Sequence, residues 1–151
     1  MDLISDVIVR HPKEKLSKCS LTPLHGRGDL VFYRATESFE FDATGYLLLD
    51  IDAPVISEVD NPMPLLLLDS TWRLLPKLMG KIKGNPVRRR LPANLMTAYP
   101  RVSKIEQDPM GGLASVEALF AARFLMGRPT PELLDSYYWK DVFLAQNNVF
   151  Q

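Results

Sequence analysis

The chain has 151 residues, 46% of them hydrophobic, which suits one globular domain over residues 1–151. It has no run of about 18 apolar residues that could span a bilayer, and residues 1–6 lack the basic start and apolar centre of a signal peptide, so we expect a cytoplasmic protein with no membrane contact. A single cysteine (Cys19) and two histidines (His11 and His25) exclude an internal disulfide and a cysteine-rich zinc site, and we expect no metal.

Charge is distributed unevenly along the chain, although the formal net charge is zero. Residues 1–60 contain six Lys or Arg against eleven Asp or Glu, whereas residues 61–112 contain nine against three. No acidic residue occurs between Ser70 and Ile105. Clustered cations of this kind suit a polyanion such as RNA, because each neutralised phosphate releases condensed counterions. A solvated basic face explains the same pattern equally well, so charge alone leaves both interpretations open.

Apolar runs predict four strands in chain order, at residues 3–9, 30–33, 46–51 and 64–69. We expect Arg10 to Lys13 to form a basic loop after the first strand, and residues 11–29 to be mostly irregular. Gly45 is the predicted turn residue before the third strand. The run at 64–69 is apolar without interruption until Asp69, which is typical of a strand buried on both faces of a parallel sheet. We therefore expect it to be the central strand.

Helical spacing predicts three helices after the central strand. The first is expected to be capped by Ser70 and Thr71 and to run to Met79. Prolines 86, 92 and 100 predict loops and short strands, such as 89–91, in the next segment. The second helix is predicted over 115–126, with Ser115 as a candidate N-cap, and the third over 131–144. Strands followed by helices indicate an α/β fold.

The junction at Asp69 is the most informative position for chemistry. A carboxylate at the carboxyl end of a buried parallel strand lies where open α/β sheets bind their ligands. The alternative is that Asp69 caps the following helix and that Trp72 fills the core. Residue types alone leave these two interpretations open.

Several short motifs, in order along the chain, resemble the ribosomal RNA aminocarboxypropyltransferase family and its relatives, the DTW-domain proteins that act on transfer RNA. Asp69-Ser70-Thr71-Trp72 resembles the family's Asp-Cys/Ser-Ser/Thr-Trp signature, and Leu113-Ala114-Ser115-Val116-Glu117-Ala118 resembles its Leu-Ser-Cys-Val-Glu-Ala. Three weaker matches are Lys18-Cys19-Ser20, Arg90-Leu91-Pro92 with Ala98, and Tyr138-Trp139-Lys140 with Phe143, Leu144 and Asn147. The chain departs from the family over Ala98 to Pro109, which is longer and lacks the asparagines of Ala-Asn-Pro-Val-Asn-Tyr-Gly-Arg-Pro. The ordered set spans nearly the whole chain.

The resemblance implies a SPOUT-like α/β fold with a parallel-rich sheet flanked by helices, in which residues 1–60 form the amino-terminal sheet portion. Residues 61–151 would pass through a trefoil knot and bind S-adenosylmethionine. The implied site residues fall into three groups. Asp69 and Trp72 would be catalytic. Ser20, Leu68, Leu91, Met110 and Ser115 would line the cofactor. We expect Lys18, Arg73, Lys77, Arg88, Arg89 and Arg90 to contact RNA phosphates.

The implied activity is transfer of the 3-amino-3-carboxypropyl group of S-adenosylmethionine to a uridine or pseudouridine base in ribosomal or transfer RNA. We expect Asp69 to orient the acceptor or take its imide proton. Glu117 is a candidate for fixing the cofactor loops, and Cys19 is interpreted as a small buried residue. Two other functions stay open: methyl transfer on the same fold, and a non-catalytic RNA-binding module for ribosome assembly. The expected assembly is a monomer or weak dimer.

Overall fold

The computed structural model describes residues 5–13, 20–70, 73–100 and 112–151. Within these residues the chain forms seven strands and three α-helices, joined by four short 3-10 turns. The strands are β1 (Asp6–Arg10), β2 (Leu30–Arg34), β3 (Phe41–Asp42), β4 (Leu47–Leu49), β5 (Leu65–Asp69), β6 (Ile82–Lys83) and β7 (Val87–Arg89). The helices are α1 (Leu75–Met79), α2 (Ser115–Leu125) and α3 (Lys140–Gln146).

Five strands form one parallel sheet in the order β2-β1-β5-β4-β7. Strand β5 is therefore central, as its uninterrupted apolar run predicts, and all five of its residues are buried. The register places Arg34, Arg10 and Asp69 in one row across β2, β1 and β5. Because the strands are parallel, this row lies at the carboxyl edge of the sheet. Strand β4, from residues 1–60, lies between β5 and β7, which both come from residues 61–151, so the two portions of the chain share one sheet.

Alternating side chains of the strands supply two separate cores, one on each face of the sheet. On one face, Ile8, Leu65 and Leu67 pack against helix α2 and against Phe143 of α3. On the other face, Leu66 and neighbouring side chains pack against α1 and the small β3–β6 sheet. The fold is a mixed α/β structure with a mainly parallel sheet flanked by helices, as expected from the sequence.

Helix α1 is shorter than predicted, because it begins at Leu75 and not at Ser70. Pro76 explains the difference. A helix that started at Ser70 would carry this proline in its interior, where the ring clashes with the preceding turn, whereas in α1 it occupies the first turn. The predicted N-cap at Ser70 and Thr71 is therefore wrong, and the N-cap is Leu74, which makes no side-chain capping bond.

Other boundaries also differ from the sequence-based predictions. The short strand expected at 89–91 is β7, Val87–Arg89. Arg10 is the last residue of β1 and is buried, so it does not belong to a basic loop. Ser115 is the first residue of α2 and not its N-cap, which is Ala114. The helix predicted over 131–144 is divided into a 3-10 turn at Pro131–Leu134 and helix α3. The polar side chains of Asp135 and Ser136, which compete for backbone hydrogen bonds, lie at the break.

Within 5–13, 20–70, 73–100 and 112–151, no helix is both long and apolar enough to cross a membrane. Over the same described ranges, three or more His, Cys, Asp or Glu side chains do not come together in a group that could hold a metal ion.

Candidate active site

Asp69 ends the central strand with its carboxylate held on the α2 face of the sheet. It is 3% exposed, and its Oδ2 accepts a hydrogen bond from the Nε of Arg10 at 3.0 Å. Its Oδ1 accepts a hydrogen bond from the Oγ of Ser115 at 2.8 Å. Since Ser115 begins α2, the start of this helix and the end of β5 meet at the carboxyl edge of the sheet. Asp69 and Ser115, which the sequence predicts as site residues, are thus in direct contact.

Arg10 is the buried partner that orients Asp69 from the next strand. Besides Asp69, its guanidinium contacts Nε2 of His25 at 2.9 Å and Oγ1 of Thr22 at 3.4 Å. It also lies 5.0 Å from the ring centre of Phe32, on which the His25 ring stacks at 4.0 Å. Burial lowers the pKa of His25 below its ordinary value, and the positive charge of Arg10 lowers it further. The imidazole is therefore neutral at pH 7, and because arginine only donates, Nε2 is the accepting nitrogen.

Arg10, His25 and Phe32 lie outside the set of site residues predicted from the sequence. They belong to β1, to the turn after Thr22–Leu24, and to β2. No short motif links them, since Arg10 and Asp69 are 59 residues apart and meet only through the pairing of β1 with β5. An arginine directly after one apolar strand, together with an aspartate at the end of another, is the signal from which this contact could have been inferred.

Ser20 joins the same cluster through the backbone of α2. Its Oγ accepts a hydrogen bond from the backbone N–H of Val116 at 3.0 Å. The two leucines predicted beside the cofactor are both buried, but they lie in different cores: Leu68 packs on the α1 face and Leu91 on the α2 face. The structure therefore unites Ser20, Ser115 and Asp69, and separates the side chains of Leu68 and Leu91.

Glu117 is a fully buried carboxylate that binds the loop after β7. It accepts hydrogen bonds from Thr97 Oγ1 at 2.6 Å and from the backbone N–H of Ala98 at 2.9 Å. The hydroxyl of Tyr137 donates to it at 3.1 Å, and the N–H of Ala114 donates at 2.8 Å, which caps α2. These contacts support the loop-fixing role considered for Glu117 from the sequence.

Asn147 holds the same loop from the carboxyl-terminal end of the chain. It is 3% exposed, and its side-chain amide both accepts from the N–H of Met96 at 2.8 Å and donates to the carbonyl of Met96 at 2.9 Å. The amide also donates to the carbonyl of Phe143 in α3 at 2.8 Å. Residues 96–98 are thus fixed between α2 and the segment after α3.

We expect Glu117→Ala to destabilise the protein by about 3 kcal/mol or more. The substitution leaves the N–H groups of the buried Ala114 and the half-buried Ala98, and the hydroxyls of Thr97 and Tyr137, without their acceptor, and each unsatisfied buried group costs about 1–3 kcal/mol. Urea unfolding would measure the change. The matched control is Glu132→Ala, whose side chain is 52% exposed, and an equal loss in both variants would contradict the role assigned to Glu117.

Comparison with solved structures relates this arrangement to a known fold. The chain resembles Tsr3. The matched structure is that of the SAM-dependent rRNA:acp-transferase Tsr3 from Vulcanisaeta distributa, with a TM-score of 0.72 and 25% sequence identity, and the match covers 98% of this chain and 81% of that one. No protein-family profile and no curated protein sequence matches the chain. The similarity to Tsr3 is therefore seen mainly in the course of the backbone.

The basic residues predicted to bind RNA divide into two regions of this Tsr3-like fold. At the β7 edge, Arg88 pairs with Asp50 at 2.7 Å and Arg89 pairs with Asp60 at 3.2 Å, while the backbone of Arg90 bridges to Val55. On the α1 side, Arg73 and Lys77 are exposed. The predicted residues Lys18, Trp72 and Met110 lie outside the described residues, as do Cys19 and Thr71.

Proposed function

We propose that the chain is an S-adenosylmethionine-dependent ribosomal RNA aminocarboxypropyltransferase. The observation that supports this most strongly is the match to the rRNA:acp-transferase Tsr3 over 98% of the chain at a TM-score of 0.72. The Asp-Ser-Thr-Trp and Ser-Val-Glu-Ala motifs support it independently, since Asp69 and Ser115, one from each motif, are hydrogen-bonded to each other. A shared fold alone does not define a reaction, so the chemistry is argued from this contact as well.

The finer fold assignment is part of the proposal. We infer a SPOUT-like sheet whose carboxyl-terminal portion passes through a trefoil knot, with a more distant relation to DTW-domain proteins. The parallel sheet and the start of α2 at its carboxyl edge agree with this assignment. An experimental structure that traces 101–111 would test it, because the backbone crossing of a knot depends on the course of that segment.

The residues around Asp69 fit a sulfonium cofactor in their chemistry. When bound, S-adenosylmethionine supplies an electrophilic carbon next to a positively charged sulfur. Asp69 provides a carboxylate for a cationic ligand. Ser20 accepts one hydrogen bond from Val116 and keeps its own O–H as a donor. Leu91 and Met110 are the proposed apolar contacts, with Met110 outside the described residues. Leu68, whose side chain packs in the opposite core, is proposed to line the cofactor through its main chain.

Asp69 is proposed to position the acceptor base. A carboxylate paired with a guanidinium accepts hydrogen bonds and donates none, so it can hold the imide N–H of a uridine-type base in a fixed direction. It can also accept the imide proton as the new N–C bond forms and methylthioadenosine leaves. Arg10 and Ser115 restrict the carboxylate from two sides, which pre-organises it before the RNA binds. Trp72 is proposed to cover the methyl group that is not transferred, so that geometry selects the reacting carbon.

Analysis of the small product distinguishes this reaction from methyl transfer. We expect incubation with S-adenosylmethionine and ribosomal RNA to release methylthioadenosine, because the bond from sulfur to the aminocarboxypropyl carbon is the one that breaks. Liquid chromatography with mass spectrometry would identify it. Release of S-adenosylhomocysteine would instead establish methyl transfer, and a reaction without RNA is the control for spontaneous breakdown.

Calorimetry tests the remaining alternative, a non-catalytic RNA-binding module. Absence of S-adenosylmethionine binding at millimolar concentration would favour that module. Mass spectrometry of ribosomal and transfer RNA from a deletion strain would identify the modified nucleotide and decide between uridine and pseudouridine. We further propose a monomer or weak dimer in the cytoplasm, which light scattering and fractionation would test.

A further inference from the structure

A cavity of about 320 Å³ lies beside the candidate active site, on the side away from β4 and β7. It is lined by the ends of the two strands β1 and β2, from Arg10 to Pro12 and from Phe32 to Arg34, together with His25. Its volume is at the lower end of the range for small-molecule pockets, which suits a single nucleotide. The lining combines aromatic rings with cationic and imidazole groups, the side chains that stack on bases and contact phosphates.

Arg10 connects this cavity to Asp69. Its guanidinium is part of the cavity wall and donates to the Asp69 carboxylate at 3.0 Å. The next residue, His11, also lines the cavity, and its backbone N–H donates to the backbone carbonyl of Asp69 at 3.2 Å. The cavity and the candidate catalytic carboxylate are therefore separated by one side chain.

The mouth of the cavity is electropositive. Arg34 is exposed, and it donates a hydrogen bond to the carbonyl of Pro12 across the opening. Burial, followed by the charges of Lys13, Lys77 and Lys81, lowers the pKa of His11. The positive charges of all three lysines therefore act on the His11 ring, at the rim of the cavity. An RNA strand has the opposite charge and the flat bases that such a site requires.

His11 and Pro12 form a ridge between the cavity and a second, more open depression of about 620 Å³. Lys77 and Lys81 line that depression, together with one acidic residue, Glu37. The Nζ of Lys81 donates to the carbonyls of Thr36 and Glu37, which fixes its position. The two concave surfaces form one continuous path over the ridge.

We propose that the cavity receives the pyrimidine base next to the acceptor in the RNA, while the strand continues over the His11–Pro12 ridge into the depression beside Lys77. This inference rests on the proposed function and adds to it the place where the substrate enters. The acceptor base itself would lie beyond Arg10, against Asp69, and the cofactor would lie on the side of the loop after β7.

A fluorescent ten-nucleotide uridylate, titrated by anisotropy against the full chain, tests the cavity. His11→Trp fills the cavity, and Arg34→Ala removes the cation at its mouth. Each variant is expected to weaken binding about tenfold, the loss that follows from removing one stacking or phosphate contact. Tyr138→Trp is the control for His11→Trp, and Lys140→Ala is the control for Arg34→Ala. They introduce a tryptophan or remove a positive charge at residues that do not line the cavity, so both should bind uridylate as the unaltered chain does.

Two results would overturn the inference. The first is an affinity for uridylate that His11→Trp leaves unchanged. The second is the absence of saturable binding to the unaltered chain below about 0.1 mM, the weak limit of non-specific nucleic-acid binding. Thermal unfolding of each variant confirms that it is folded. Calorimetry with S-adenosylmethionine separates this inference from the proposed function. Cavity-dependent uridylate binding without cofactor binding contradicts the proposed function alone, whereas cofactor binding with cavity variants that bind RNA normally contradicts the cavity alone.

Discussion

Asp69→Ala is expected to lower transfer of the aminocarboxypropyl group to RNA by a factor of about 10²–10⁴, the usual contribution of a positioned acid–base or orienting group. At the carboxyl edge of β5 the carboxylate is held by both Arg10 and Ser115. Its removal takes away the proposed acceptor for the imide N–H of the base. Incorporation of carboxyl-labelled S-adenosylmethionine into ribosomal RNA measures the effect.

Asp69→Asn separates this chemical role from a loss of folding. Alanine removes the carboxylate that balances the buried charge of Arg10, which by itself destabilises the protein. Asparagine has nearly the same shape and can still accept from Arg10, so we expect it to remain better folded and still lose most of the transfer. Asp135→Asn, at a side chain that is 63% exposed, is the matched control. Transfer at the normal rate by both Asp69 variants would show that the carboxylate has no part in the reaction.

Arg123→Met is expected to reduce the free energy of unfolding by about 3–5 kcal/mol, the cost of leaving a buried charge without its partner. Arg123 is 2% exposed, and its Nε donates to the carboxylate of Asp6, which is fully buried, at 2.7 Å. The Nη1 atom of Arg123 donates to the carboxylate of Asp29 at 2.8 Å. This network connects α2 to the amino edge of the sheet, opposite the candidate active site. Urea unfolding at pH 7 measures the loss.

The same substitution should also change the stability of the protein towards acid. Hydrogen bonds from Arg27 and then from Arg123 hold the pKa of Asp29 well below its ordinary value, against the opposing effect of burial. A carboxylate whose pKa is lowered on folding stabilises the protein above its ordinary pKa, and this stabilisation is lost as the pH falls. Arg123→Met should therefore lose less stability between neutral and acid pH than the unaltered chain. Lys140→Met, at an exposed ion pair, should change stability by less than about 1 kcal/mol at every pH.

The apolar patterns were sufficient to predict the central elements of the fold. The uninterrupted run at 64–69 and the helical spacing at 115–126 correspond to β5 and α2 within one residue at each end. These predictions succeed because each kind of burial requires its own pattern of apolar residues. A strand buried on both faces requires an uninterrupted apolar run, and a helix buried along one side requires apolar residues at helical spacing. The central position of β5 in the sheet followed from the parallel α/β class.

Contacts between distant segments could not be read from local patterns. Arg10 looks like a loop residue because it begins the polar segment after an apolar strand, and only the pairing of β1 with β5 provides the carboxylate that makes its burial possible. The length of α1 depended on one proline. In the candidate site, family-like motifs indicated Asp69, Ser20 and Ser115, whereas the supporting Arg10, His25 and Phe32 follow no motif.

The way in which residues 96–98 are held has a consequence for how such a protein diverges. Glu117 and Asn147 bind this loop largely through main-chain groups, namely the N–H and carbonyl of Met96 and the N–H of Ala98, and only Thr97 is held by its own side chain. Main-chain groups are present whatever amino acid occupies a position, so mutations can replace the loop's side chains while its path persists. A loop held in this way can therefore lack the asparagines of the aminocarboxypropyltransferase motif and still belong to a backbone that resembles that of Tsr3 over 98% of this chain.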